Sequence, residues 1–306
     1  MSSTGTVRLA AIEAGGTKFA LAVGDDRGRI VDRHSVPTRD TVATLSEVAA
    51  WFEARGPFAA IGIASFGPAG IDPASERWGH ILNTPKPGWA GCDIAGFFAD
   101  RFGVPIAFDT DVNGAALGEY RLGAGRGKVS LAYVTVGTGI GGGLVVAGEP
   151  LHGAGHPEMG HLFPRRSHQD HAYPGNCPIH GDCLEGLASG PAILARWRRS
   201  LSELPETHEA HALVADYLAQ LCHTVLAITA AETIVLGGGV MKAPGLVQRV
   251  QERARLLDNG YWPGAARLSV TSPVLGDDAG VVGALFLAAQ AQEQDGRALA
   301  PAGSPA

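Results

Sequence analysis

The chain has 306 residues, with 24 lysines and arginines against 30 aspartates and glutamates, a formal charge of −6, and 45% hydrophobic against 18% charged residues. That length buries a real core in one large or two medium domains, and the composition excludes a disordered or fibrous chain. The acidic balance, without a lysine- or arginine-rich block, argues against nucleic acid and membranes as partners, and no run of 18 apolar residues offers a bilayer span.

In chain order, apolar runs at 7–12 and 19–23 flank Glu13-Ala-Gly-Gly-Thr-Lys18, which predicts a β-hairpin with a tight glycine turn. A third strand is expected at 30–35. A helix follows over 41–55, with Val42, Leu45, Val48, Ala49 and Phe52 on one face, then a buried strand at 59–64. Residues 106–111 read as a strand running out into a helix at 112–121. The order repeats after about residue 130, with strands at 131–136 and 144–147 around Gly137–Gly143. Helices at 189–201 and 208–230, a strand at 233–236, a helix at 244–257, a strand at 267–271 and a small-residue helix at 279–291 complete the pattern. The expectation is therefore an α/β protein of two lobes with a cleft between them. The lobes are placed at 1–117 and 118–290, with a flexible tail at 291–306.

The 43 glycines are about twice the usual share, and they cluster where strands end. Gly137-Thr-Gly-Ile-Gly-Gly142 matches the dinucleotide fingerprint in form, but that fingerprint needs a following helix, and Leu144-Val-Val-Ala147 reads as a strand. No Walker A loop is present. Two hairpin turns remain, Gly15-Gly-Thr-Lys18 and Gly137-Thr-Gly139, whose backbone N–H groups, with Thr17, Thr138 and the charge of Lys18, suit phosphate oxygens. Seven residues with five glycines at 137–143 exceed what a hairpin needs. A third loop, Gly237-Gly238-Gly239, follows a strand and lets a flat ring approach backbone, so the three together suggest an adenosine pocket.

Six of eleven histidines lie within 152–180, with two cysteines among and after them. His161 with Cys177-x₂-His180-x₂-Cys183 gives two sulfur and two nitrogen ligands in the spacing of a structural zinc knuckle, within 156–185. A closed tetrahedral site braces a loop and does no chemistry. His152, His156, His168 and His171 receive no metal role, and Cys92 and Cys222 read as small core residues. Arg196-Trp-Arg-Arg199 reads as one face of a surface helix.

These pieces in this order resemble the ROK family of bacterial sugar kinases, within the actin/hexokinase/Hsp70 (ribonuclease H-like) superfamily. The residues that carry the likeness are Glu13–Lys18, Asp109-Thr-Asp-Val-Asn113, Gly137–Gly143, His156-Pro-Glu-Met-Gly-His161, Cys177–Cys183 and Gly237–Val240. Glu13–Lys18, Asn83-Thr-Pro-Lys-Pro-Gly-Trp89 and His180 look like its fructokinase branch. The resemblance implies ATP with Mg²⁺ as phosphoryl donor, a structural Zn²⁺, a homodimer, and phosphorylation of a hexose at its 6-hydroxyl, D-fructose first. Glucose, mannose or an N-acetylhexosamine is the alternative substrate within the same family.

By this resemblance Asp111 is the general base, while the residues alone leave it equally an N-cap for the helix that follows. The sugar set it implies is Asn113, Glu158, His161 and Glu185, completed by Gly67, Pro68 and Asn83, with Asp109 a structural neighbour. Many superfamily relatives carry Asp where this chain has Glu13, one methylene longer, which puts direct magnesium ligation by Glu13 in question. Sugar-sensing repressors of the family carry a DNA-binding segment ahead of this core. Here the first loop starts at Glu13, so an enzyme is expected. Residues 1–7 are polar and suggest no secretory leader, so a cytoplasmic location is expected.

Overall fold

The computed structural model describes residues 7–298. Its strands are β1 (Leu9–Ala14), β2 (Lys18–Gly24), β3 (Ile30–Pro37), β4 (Ala60–Ser65), β5 (Ile106–Thr110), β6 (Ser130–Val136), β7 (Ile140–Val146), β8 (Glu149–Pro150), β9 (Thr233–Gly237) and β10 (Ser269–Thr271). Its α-helices are α1 (Thr41–Glu53), α2 (Ile94–Phe102), α3 (Asp111–Leu122), α4 (Leu184–Ala188), α5 (Gly190–Trp197), α6 (Glu209–Thr229), α7 (Leu246–Asp258) and α8 (Ala279–Ala298). They form two compact units. One holds the chain up to Gly118, Gly153–Gly155 and everything from Asp277; the other holds Glu119–His152 and His156–Gly276.

The first unit is built on the sheet β3-β2-β1-β4-β5, antiparallel across β1, β2 and β3 and parallel across β1, β4 and β5. Strand alternation puts Ile12, Ile61 and Ile63 into one core with Leu45, Val48 and Phe52 of α1 and Ile94 and Phe98 of α2. The opposite face carries small residues. A side chain at Gly62 would run into the backbone of α8 at Ala284, and Ala64 lies against Gly114 of α3, so these helices lie close on the sheet. Asp40 caps α1 by accepting from the Ala43 N–H at 2.9 Å. The face of α1 is shifted from the expected one: Thr44 is buried and Val42 is 74% exposed. The shift is tolerated because the Thr44 hydroxyl accepts from the Arg39 N–H at 2.9 Å.

The second unit holds the sheet β10-β9-β6-β7-β8, in which β9 runs parallel to both β6 and β10, and β6–β7–β8 form an antiparallel meander. Val134, Ile234 and Leu236 pack against Val214, Leu218, Leu221 and Val225 of α6. By length and composition α6 could cross a bilayer, but half of its apolar window is buried in this core. Cys222 is a fully buried core residue as expected.

Three expectations are corrected. Helix α8 belongs with the first unit, because its small residues fit only the glycine- and alanine-lined face of β1, β4 and β5. It also continues to Ala298, so residues 291–298 are helix, and the rest of the expected tail lies outside the described residues. Arg196 is not on a surface face. Its guanidinium pairs with the buried Asp170 and stacks on Trp197 at 4.5 Å.

Candidate functional site

Because β1, β4 and β5 run parallel, their C-terminal ends share one edge of the first sheet, the usual place for ligands in α/β folds. At the end of β1 the Gly15 N–H donates to the Lys18 carbonyl at 3.0 Å, leaving Gly16, Thr17 and Lys18 exposed. After β4 the Phe66 N–H donates to the Ala14 carbonyl at 2.8 Å, and the Pro68 carbonyl accepts from Leu82 at 2.7 Å. Gly67 and Pro68 are thereby brought beside the exposed Asn83. The 83–89 loop is anchored by Trp89, fully buried, with its Nε1 donating to the Arg39 carbonyl at 2.9 Å. Lys86 Nζ in the same loop donates to the Gly16 carbonyl at 2.6 Å, tying it to the first glycine turn.

Asp111 opens α3 at the end of β5. The capping role falls to its neighbour: the Thr110 hydroxyl accepts from the Asn113 N–H at 3.1 Å. Asp111 keeps its own Oδ1 on the adjacent Val112 N–H at 2.9 Å and is half-buried. Asn113 is fully buried, with its amide Nδ2 donating to Asp109 Oδ1 at 2.7 Å. Asp109, itself buried, thereby holds the Asn113 amide. Glu13 lies on β1 opposite Ala64, its carboxyl group against Gly280 in the first turn of α8. Burial, and then the Asp111 carboxylate, raise its pKa to about 7; Lys18 opposes this, and Asp277 and Asp278 add to it.

In the second unit the hairpin turn is shorter than the sequence suggested. β7 begins at Ile140, so Gly141–Gly143 are ladder residues opposite Thr135, Val134 and Tyr133. Gly142 is small because Met159 packs where its side chain would be. Only Gly137, Thr138 and Gly139 form the turn. Gly137 and Thr138 open, with Gly239, Val240, Ile193 and Leu201, onto a cavity of about 450 Å³. Gly238 takes a φ of 91°, whereas Gly237 ends β9, buried against Tyr133, so of the third loop Gly239 is the member that lines the cavity. A larger cavity, about 660 Å³, lies along α6 with Arg165, Arg196, Asp216 and Arg253 on its walls, and none of the expected site residues lines it.

His161, Cys177, His180 and Cys183 converge, with their candidate ligand atoms within 4.8 Å of one another. Tetrahedral zinc with Zn–N near 2.0–2.1 Å and Zn–S near 2.3 Å requires N···N edges of about 3.3 Å and N···S edges of about 3.6 Å. The two Nδ1 atoms are 3.3 Å apart, three of the four nitrogen–sulfur separations are 3.5, 3.9 and 4.0 Å, and no pair exceeds 4.8 Å. The donor set therefore fits such an ion in both chemistry and size. Burial pushes the Cys183 thiol up to about 11 in the ion's absence. Glu158 is exposed two residues beyond His156, whose Nδ1 lies 3.5 Å from it. Glu185, in the first turn of α4, accepts from the Ile140 N–H at 2.9 Å.

A family model for the ROK family matches residues 9–291. The chain belongs to the ROK family. A fructokinase of Zymomonas mobilis is 44% identical over 92% of this chain and 97% of its own. A fructokinase of Pediococcus pentosaceus is 38% identical over 92% and 97%. The ROK hexokinase of Thermus thermophilus superposes with a TM-score of 0.78 at 29% identity, covering 94% of this chain and 100% of that one. The architecture is the actin-like sugar-kinase fold of ROK hexokinases.

Beside the expected residues, this ROK chain places others that the sequence reading passed over. Asp277 and Asp278 add negative charge near Glu13; an acidic pair directly before a small-residue helix was the available signal. Gly190 joins the wall of the 450 Å³ cavity. The start of α5 was legible in Ser189-Gly-Pro191, since Ser189 caps it and Pro191 sits in its first turn.

Proposed function

We propose that this ROK chain transfers the γ-phosphoryl group of ATP to the 6-hydroxyl of D-fructose, giving fructose 6-phosphate and ADP. The observation that carries this reading is 44% identity to a fructokinase across 97% of that protein. Asp111 takes the proton from the sugar hydroxyl as its oxygen bonds to the γ-phosphorus and the bond to the bridging oxygen of ADP breaks. Thr110 supports this role by relieving Asp111 of the cap. In the turns Gly15–Lys18 and Gly137–Gly139, which the Gly15 and Gly137 N–H groups close internally, the other backbone N–H groups receive phosphate oxygens, with Lys18 adding charge, and the cavity at Gly239 takes the adenosine. Glu13, through water, would help hold magnesium, which supplies neutralising charge at the phosphates.

Sugar hydroxyls are met by Glu158, His161 and Glu185, with Gly67, Pro68 and Asn83. The His161 Nδ1 faces the cysteine sulfurs, which leaves Nε2 for a hydroxyl. Asn113 completes the sugar set, its amide Nδ2 held by Asp109 at the start of α3. Zinc at His161, Cys177, His180 and Cys183 would brace this loop. The resemblance also supports a cytoplasmic homodimer. A coupled ADP-release assay with ATP–magnesium against fructose, mannose, glucose and N-acetylmannosamine tests the reading. Fructose is expected to show the highest kcat/KM; a higher value for an aldohexose would move the enzyme to the alternative substrate.

A further inference from the structure

The eight residues from Cys183 to Gly190 touch three things. Cys183 brings its sulfur to the metal cluster and stands at the N-cap of α4. Two residues on, Glu185 Oε2 accepts from the Ile140 N–H at 2.9 Å, at the far end of the second glycine turn. At the segment's other end the Gly190 N–H donates to the Gly137 carbonyl at 2.8 Å, at the near end of the same turn. The turn is therefore held at both ends by one short segment that starts on a metal ligand. The contact is close: a Cβ on Gly139 would lie 2.6 Å from Glu185 Oε2, so the carboxylate rests on the backbone of the turn.

We propose that Glu185 is a positioning residue for the turn that receives the nucleotide phosphates, so that the metal cluster reaches nucleotide affinity through it. This rests on the reading of Gly137–Gly139 as a phosphate loop and of the cluster as a zinc site. One carboxylate oxygen fixes the turn, and in the proposed function the other is the one that meets a sugar hydroxyl. Removing the acceptor leaves the Ile140 N–H to find another partner and lets the turn relax. A glutamine keeps an acceptor oxygen at the same reach but loses the charge that a sugar hydroxyl favours.

Calorimetry of ADP–magnesium binding to the full-length, zinc-loaded protein, without sugar, separates these roles. Glu185→Gln is expected to keep the wild-type Kd for ADP, and Glu185→Ala to raise it roughly tenfold. Fructose affinity is expected to fall in both variants. Stripping zinc should weaken ADP binding to the wild type and add little to Glu185→Ala. Zinc content and melting temperature, measured in parallel, show whether Glu185→Ala is folded. If it is not, the zinc-stripped wild type carries the test alone. An unchanged ADP Kd in folded Glu185→Ala, or on zinc removal from the wild type, would overturn the proposal. A zinc-loaded wild type that binds no ADP at all would overturn the phosphate-loop reading and the proposal with it.

Discussion

At Asp111 and Glu13 two carboxylates in the first unit have been given different work by their surroundings. Asp111 is half-buried at a helix start whose cap is supplied by Thr110, and its own Oδ1 rests on the adjacent Val112 N–H. Replacing Asp111 with Asn should leave fold and fructose affinity intact and lower turnover by roughly 10²–10⁴, measured by steady-state kinetics beside equilibrium sugar binding. Near-normal turnover would remove Asp111 from the mechanism. Glu13 is held near pKa 7 by burial and by the Asp111 charge, against an ordinary 4.5. Between those values the folded protein holds a proton that the unfolded chain has released. Its favourable contribution is thus complete below about pH 4.5 and lost as pH rises through about 7. That amounts to about 3.5 kcal/mol at most, since each unit is worth about 1.4 kcal/mol. In metal-free protein, Glu13→Gln should erase this slope, so that the variant gains on the wild type between those pH values in urea unfolding. The same substitution should reduce magnesium-dependent turnover. Parallel pH–stability curves for the two proteins would place Glu13 in a more solvated setting than the fold gives it.

Among the elements, the His/Cys cluster and the 83–89 loop are held by a few side chains rather than by regular structure. Four candidate ligand atoms within 4.8 Å of one another would, with an ion between them, fix the chain from His161 to Cys183, where regular structure is sparse. Zinc binds only deprotonated thiols, and burial keeps Cys183 protonated to about 11 without the ion, so acidification should favour proton over metal. Zinc content followed from pH 8 downwards should fall, with a lower melting temperature as it does; zinc retained unchanged into acid would argue for a different donor set. Trp89 plays the corresponding part in the first unit, buried with ring centroids 5.4 Å from Phe19 and 5.6 Å from Phe66. Trp89→Ala should cost about 3–5 kcal/mol in denaturant unfolding. It should also raise the KM for fructose, because Asn83 and Lys86 lose their support; a loss of stability with KM unchanged would detach the loop from sugar binding. The His/Cys cluster was legible because cysteine and histidine spacing is a local signal, whereas Trp89 was read only as part of a family-like segment and its burial was not legible. Nor was the length of the second glycine turn, since a glycine in a ladder and a glycine in a turn read alike. Met159, which explains Gly142, is remote in sequence.

Over the whole molecule, what the sequence conveyed was the order of elements and the chemistry at strand ends; what it withheld was where the last helix goes. Periodicity reports that a helix has a small-residue face but not which sheet has the matching small-residue face. The fit is decided by Gly62 and Ala64 on β4 and Gly114 and Gly118 on α3, residues more than 150 positions away from α8. Ala284, Leu285 and Ala288 of that helix are fully buried, so the first sheet has one face uncovered until nearly all of the chain has been made. Without α8 the buried faces of β1, β4 and β5 would meet water on that side, while the second unit keeps its sheet and its helices α4–α7. Deleting residues 277–306 should therefore unfold the first unit selectively. Hydrogen exchange would then be fast for amides of β1, β4 and β5 and slow for those of β6 and β9, with zinc still bound and turnover absent. Protection retained in β1 and β4 after the deletion would mean that α1 and α2 alone stabilise that sheet, and that α8 covers a face already able to stand in water.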